Sequence, residues 1–189
     1  MANKKTVDFY LVIVLGFSLF VNVGLAMKVH KLILLTTPVP LQQLTVGSRV
    51  ESLDALDVSG KAKHLIFGSG DKLVVLYAFT PTCGWCAKNL SNIKEIYRLK
   101  HPEFEFIGVS LSPNGVPEYL SRSGFPLEVV KDPSAASREK FHFNGTPETI
   151  VVDSSGTVKQ VWLGAYTSDA CRKIEQFFQM PKGGLSAAS

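Results

Sequence analysis

Leu73-Val74-Val75-Leu76-Tyr77-Ala78-Phe79-Thr80-Pro81-Thr82-Cys83-Gly84-Trp85-Cys86 is the stretch that decides the fold. Its first seven residues are a continuous run of aliphatic and aromatic side chains, which suits a strand buried on both faces. Thr80-Pro81-Thr82 stops that strand, and Cys83 starts a helix running to about Lys100. Along the helix Cys86, Leu90, Ile93 and Tyr97 recur every three or four residues, the spacing of one helical face. A buried strand therefore hands over to a helix at two cysteines spaced three apart.

That position has chemical consequences. Residues i and i+3 on a helical turn are neighbours, and a tight first turn brings them within the reach of a disulfide. The unpaired N–H groups and the macrodipole at a helix start favour a thiolate over a thiol. A thiolate attacks a substrate disulfide to form a mixed disulfide, which a second cysteine resolves by internal attack. The expected roles follow: Cys83 is the exposed nucleophile, Cys86 the more buried resolving thiol, and Gly84 leaves the path of attack open. A zinc knuckle and an inert structural disulfide are the alternative readings. A zinc site needs about four ligands, usually in two pairs. Here there is no second CxxC, Cys171 stands alone, and His64, His101 and His142 are scattered, so no metal is expected.

Working outward, Leu44 to Phe67 reads as an irregular segment with a β-hairpin, and Gly68 to Lys72 as a turn. Phe104–Leu111 is the next strand, Val116–Ser123 a short helix, Leu127–Val130 a small strand and Ala135–Phe141 a helix. Glu148–Val152 and Val158–Leu163 alternate as an antiparallel pair around Ser154-Ser155-Gly156. Thr167 or Ser168 caps a last helix through about Gln179. On that helix Ala170, Cys171, Ile174, Phe177 and Phe178 share a face, so Cys171 reads as a small buried hydrophobe. Phe141, Phe143 and Trp162 read as core, and His142 as a surface histidine. Pro181 ends the helix and residues 181–189 are expected to form a flexible tail. Strands alternating with helices, followed by a hairpin and a helix, make an α/β fold around a central sheet.

Composition bounds the rest. The chain has 189 residues, 46% hydrophobic and 19% charged, which excludes low-complexity and wholly disordered classes. Three cysteines are too few for a disulfide-stapled miniature fold. Residues 1–43 hold Lys4, Lys5, Lys28 and Lys31 against Asp8, a net +3. The remainder is close to neutral and offers no clustered basic face, so nucleic acid is not an expected partner. Phe9 to Met27 is free of charge, with only Ser18 and Asn22 strongly polar. As a helix it spans about 28 Å, roughly one hydrocarbon thickness. Residues 1–8 are thus a short tail, 9–27 a transmembrane anchor in the lipid bilayer, 28–43 a linker containing Pro38 and Pro40, and 44–180 the folded domain. A cleaved signal peptide is the competing reading, since Gly24-Leu25-Ala26 permits cleavage after Ala26; a buried soluble helix is the third. The free amino terminus and the thiol chemistry favour the amino terminus inside and the domain outside.

Gly145-Thr146-Pro147-Glu148 precedes a strand, and a proline there has no N–H, so another chain or a cysteine pair can approach it closely. Taken in order, the buried strand, Cys83-x-x-Cys86 at a helix start, Thr146-Pro147 before a hairpin and Gly164 just after it resemble the thioredoxin superfamily. The anchor, the leading hairpin region and the Val116–Phe141 segment resemble its TlpA/ResA-like branch of membrane-anchored thiol–disulfide oxidoreductases, over roughly residues 44–180. The resemblance implies a thioredoxin-like fold with a mixed β-sheet flanked by helices. It implies a cis peptide before Pro147, with Gly84, Trp85, Thr146, Pro147 and Gly164 around the substrate and the Thr146 backbone pairing a bound chain. No cofactor is implied beyond the redox-active Cys83–Cys86 disulfide. The implied partners are substrate protein thiols and disulfides and a membrane electron donor of the thiol–disulfide type. The implied location is the bacterial inner membrane, single-pass, with the catalytic domain on the periplasmic side, as in cytochrome c biogenesis.

Several positions depart from the family's pattern. Thr82 stands where Trp usually precedes the first cysteine, Tyr77 where thioredoxin has a buried Asp, Asn89 where many ResA-like members have Glu, and Ser91 where a kinking proline is usual. Both carboxylates that would accept the resolving thiol's proton are therefore replaced, leaving water or Lys88. Two other functions use the same cysteines. Copper delivery needs a third ligand, with His142 as the candidate. Thiol peroxidase chemistry is suggested by Thr80-x-x-Cys83 alone, since Leu76 stands where that signature has proline.

Overall fold

The computed structural model describes residues 4–36, 43–67 and 70–188. They form two compact units, one reaching to Leu41 and one beginning at Gln42.

The first unit is a single helix, α1, Lys4–Thr36. Its stretch Phe9–Ile33, 25 residues, is long and apolar enough to cross a membrane, and its side chains are exposed. A polar group inside hydrocarbon needs an internal partner. Asn22 has one: its Nδ2 donates to the Ser18 carbonyl one turn back at 2.8 Å. The expected linker is corrected at its start, because residues 28–36 continue the helix. Lys28, His30 and Lys31 do not interrupt backbone hydrogen bonding, and no proline or glycine follows until Pro38. The linker's prolines, Pro38 and Pro40, lie outside the described residues, as do Gly68 and Ser69 of the expected turn.

The second unit is built on a seven-stranded sheet ordered β2-β1-β5-β4-β3-β6-β7. Its elements are β1 Ser52–Asp57, β2 Ala62–Ile66, β3 Val74–Phe79, α2 Gly84–Lys100, β4 Glu105–Ser110, α3 Val116–Ser123, β5 Glu128–Lys131, α4 Ala135–Lys140, β6 Glu148–Val152, β7 Val158–Leu163 and α5 Ser168–Phe177. β3, β4 and β5 run parallel, while β6, β7, β1 and β2 join antiparallel, so the sheet is mixed. β3 lies inside it, and all six of its residues are buried. Its side chains alternate between two cores. Val75, Tyr77 and Phe79 pack on one face with Cys86, Ile93 and Ile96 of α2, Cys171 and Ile174 of α5, and Phe178 at its C-cap. Val74, Leu76 and Ala78 pack on the other with Phe67, Phe141 and Phe143. The first core is rich in rings: Phe79 lies 5.1 Å from Tyr119 and 5.0 Å from Phe125, each pair adding about 0.5–1.5 kcal/mol beyond area burial. Cys171 is buried and free, as its helical stripe predicts, and Phe141, Phe143 and Trp162 are core.

The carboxyl-terminal segment is a second correction. Residues 181–188 are docked rather than flexible. Leu185 is buried, and its N–H donates to Glu175 Oε1 at 2.9 Å, while the Gly183 N–H donates to Glu175 Oε2 at 3.1 Å. Asn92 of α2 holds Ser186 with both ends of its amide: Nδ2 donates to the carbonyl at 2.8 Å, and Oδ1 accepts the N–H at 2.9 Å. The Ala188 N–H donates to the Tyr166 carbonyl at 2.9 Å. A frayed end has no such partners.

Candidate active site

β3 ends at Phe79 inside the sheet, and Thr80-Pro81-Thr82 turns the chain into α2. Cys83 is the N-cap of that helix, with extended backbone (φ −74°, ψ 111°). Its Sγ accepts the backbone N–H of Cys86 at 3.0 Å, so a sulfur satisfies one of the orphan donors of the first turn. Cys83 and Cys86 are joined by a disulfide, with Cα atoms 5.2 Å apart. Cys83 is half-buried and Cys86 fully buried, the order of accessibility that the helix position predicts. Gly84 is exposed, and a Cβ placed there would meet open space.

Sixty-three residues further on, the Thr146 carbonyl oxygen stands 3.6 Å from Cys83 Sγ. The Thr146–Pro147 peptide is cis, as the family resemblance implies. Pro147 is buried, and its carbonyl accepts the Gly164 N–H at 2.7 Å, which ties the proline loop to the end of β7. Gly164 takes φ +87°, a conformation that side-chain-bearing residues rarely adopt. Trp85, Thr146, Pro147 and Gly164 then line one groove of about 300 Å³. Trp85 is 54% exposed, and its ring carries the Lys88 ammonium 4.6 Å from the centroid, a cation–π contact. All the sequence-predicted site residues except Gly84 thus meet at the disulfide or in the adjoining groove, with Gly84 at the helix start between the two cysteines.

Beneath the disulfide lies a neutral polar cluster where carboxylates were the family pattern. Asn89, fully buried one turn after Cys86, accepts the Tyr166 N–H at 3.3 Å and the Asn92 amide at 3.2 Å. The Tyr166 hydroxyl shares a 2.7 Å hydrogen bond with Thr149. Burial pushes the Tyr77 and Tyr166 hydroxyls far above the ordinary phenol range, so both stay protonated. Burial also raises the Cys171 thiol, and nearby Glu175 adds to the shift. Sequence reasoning missed Asn89 and Asn92 as buried residues, because polar side chains on a helix read as its solvent face. It also gave no role to Glu148, which directly follows Pro147. Glu148 is 1% exposed, its Oε2 has no hydrogen-bond partner, and burial pushes its carboxyl up to about 7. Among the described residues no group of three or more His, Cys, Asp or Glu side chains is placed to hold a metal, and His142 sits directly after the end of α4, at φ +50°.

The comparisons agree with this geometry. The sequence profile of the family described as Thioredoxin-like matches residues 70–158, from the approach to β3 to the start of β7. No curated protein matches the sequence. Among solved structures, the thioredoxin domain of a thiol–disulfide oxidoreductase from Bacteroides vulgatus is similar at 21% identity and a TM-score of 0.59, covering 72% of this chain and 99% of its own. A proposed thiol:disulfide interchange protein DsbE from Chlorobium tepidum is similar at 17% identity and a TM-score of 0.60, covering 72% and 98%. StoA from Bacillus subtilis is similar at 15% identity and a TM-score of 0.54, covering 70% and 98%. The chain has a thioredoxin-like fold. It has the fold of the thiol–disulfide oxidoreductases, with a CxxC-spaced cysteine pair at the start of α2.

Proposed function

We propose that this protein is a thiol–disulfide oxidoreductase, tethered to a membrane by α1, that reduces disulfides of substrate proteins on the extracytoplasmic side. The observation that carries the reading is the Cys83–Cys86 disulfide at a helix N-terminus, with Cys83 half-buried and 3.6 Å from a groove residue, Thr146, and Cys86 buried. In the reduced protein, the Cys86 N–H and the helix dipole stabilise a Cys83 thiolate. That thiolate attacks one sulfur of a substrate disulfide. A Cys83–substrate disulfide forms, the substrate S–S bond breaks, and the other substrate sulfur leaves as a thiolate that takes a proton from water. Cys86, deprotonated, then attacks Cys83 Sγ. The Cys83–Cys86 bond forms, the mixed disulfide breaks, and the second substrate thiol is released. Two electrons pass from the dithiol to the substrate. A membrane thiol–disulfide donor returns them, and the cycle needs no other cofactor.

Within the groove, Trp85 offers an aromatic surface, Thr146 a backbone beside the attacking sulfur, and Pro147 a face without an N–H. Lys88 is engaged with the Trp85 ring, so water is the better proton acceptor for Cys86 in a neutral surrounding. Extracytoplasmic placement is supported by the apolar stretch Phe9–Ile33 and by the redox chemistry, since disulfide exchange on secreted proteins belongs to oxidising compartments. Apocytochrome haem-site cysteines, metallochaperone cysteines and misfolded secreted proteins are the substrate classes with the right chemistry.

The test is reduction of a protein disulfide by the full chain in detergent, with a small dithiol standing in for the membrane donor and its direct reaction subtracted. Cys83→Ser abolishes turnover, and Cys86→Ser leaves a trapped mixed disulfide on Cys83. Unchanged turnover in Cys83→Ser overturns the assignment. Retention of the wild-type chain in the membrane pellet after alkaline carbonate extraction checks the anchor.

A further inference from the structure

The groove beside the disulfide has a wall that comes from the far end of the chain. Ala188 lines it together with Trp85, Thr146, Pro147 and Gly164. Ala188 is there because the segment before it is fastened at several independent points. Leu185 fills the core that also contains Cys86. Glu175 accepts the Gly183 and Leu185 N–H groups, Asn92 grips the Ser186 backbone with both amide ends, and the Tyr166 carbonyl accepts the Ala188 N–H. The segment does not cover the sulfurs: Cys83 remains half-buried and Trp85 is 54% exposed. It bounds the groove rather than plugging it.

What the groove can take follows from its lining. The Trp85 ring, the Pro147 ring, the Ala165 and Ala188 methyl groups and Gly164 make it mainly apolar beside Thr146 and Thr167, and among the described residues no charged side chain lines it. Its volume of about 300 Å³ holds one large side chain. Thr146, which lines it, stands 3.6 Å from Cys83 Sγ, so a chain bonded to that sulfur must lay its neighbouring residues here.

We propose that Leu185–Ala188 completes a pocket for an apolar side chain next to the substrate's cysteine, and that this segment thereby sets which protein disulfides are attacked. The inference rests on the exchange activity proposed above and names the feature of its substrate that is recognised. Burying a large apolar side chain in such a pocket contributes enough to separate two substrates by about tenfold.

The probes are two homodimeric peptide disulfides, acetyl-Phe-Cys-Gly-amide and acetyl-Gly-Cys-Gly-amide, reduced by the full chain in detergent, with a limiting dithiol returning two electrons to the Cys83–Cys86 pair at each turnover and its direct reaction with each peptide subtracted. The wild type is expected to favour the Phe peptide by about tenfold in kcat/KM, with the difference in KM. Leu185→Asp places a charge in the core and undocks the segment, so the preference falls to within about twofold. Ala188→Trp fills the pocket from a partly exposed position and brings the same loss; it serves also where Leu185→Asp does not fold. Equal rates with the two peptides in the wild type, or a full preference retained in Ala188→Trp, overturn the pocket. Exchange with neither peptide overturns the oxidoreductase reading and the pocket with it.

Discussion

The backbone N–H of Cys86 donates to the Sγ of Cys83 at 3.0 Å, so the second cysteine's own peptide group supports the first cysteine's sulfur. The bond is local to the first turn of the helix. After reduction the same donor faces a sulfur that can hold negative charge, whereas Cys86 Sγ is buried in an apolar core. The two thiols are thereby made unequal.

This inequality is measurable. In the reduced protein, iodoacetamide is expected to modify Cys83 first, because a thiolate at a helix N-terminus forms more readily than a free one. Cys86 and Cys171 are buried and react at least about tenfold more slowly. Mass spectrometry of partly alkylated protein reads the order; equal labelling of Cys83 and Cys86 contradicts it.

Glu148 predicts a pH dependence of stability. Its carboxyl is raised by burial from 4.5 to about 7, so the folded state holds a proton that the unfolded state releases between these values. Bound protons are then more numerous in the folded state, and stability falls as pH rises. The contribution is fully present below about pH 4.5 and is lost through pH 7, amounting to roughly 3 kcal/mol. Glu148→Gln is expected to unfold at the same denaturant midpoint as the wild type near pH 4.5, and at a clearly higher midpoint at pH 8. Parallel pH profiles for the two proteins contradict this.

Asn92 predicts the worth of the carboxyl-terminal docking. Asn92→Ala removes both bonds to Ser186 and the one to Asn89. The cost is expected at about 1–3 kcal/mol, since partly buried groups lose their partners. Hydrogen exchange should show protection lost at Ser186 and Ala188 before α2 loosens. Unchanged protection at both amides excludes Asn92 as the clamp.

The chemistry was readable where the pattern is local. Continuous apolar character placed β3, a three-to-four spacing placed α2, and the meeting of the two placed Cys83 and Cys86, because strand burial and helix periodicity are written in neighbouring residues. A cap at Thr167 or Ser168, which the structure places at Thr167, Cys171 on its apolar stripe and the hairpin around Gly156 were readable for the same reason. The end of the apolar helix was not, because Lys28 and Lys31 read as a boundary although charges alone do not stop a helix.

The sequence by itself determined the sulfur pair, its helix start and the order of elements around it. Only the tertiary structure decided that Thr146 meets Cys83 across 63 residues, that Asn92 takes hold of Ser186 across 94, and that Glu148 loses its water. Hydrophobic spacing says which face of an element turns inward, but it does not say which distant polar groups will meet there. That choice falls to the packing of the whole chain, which must find a partner for nearly every polar group it removes from solvent.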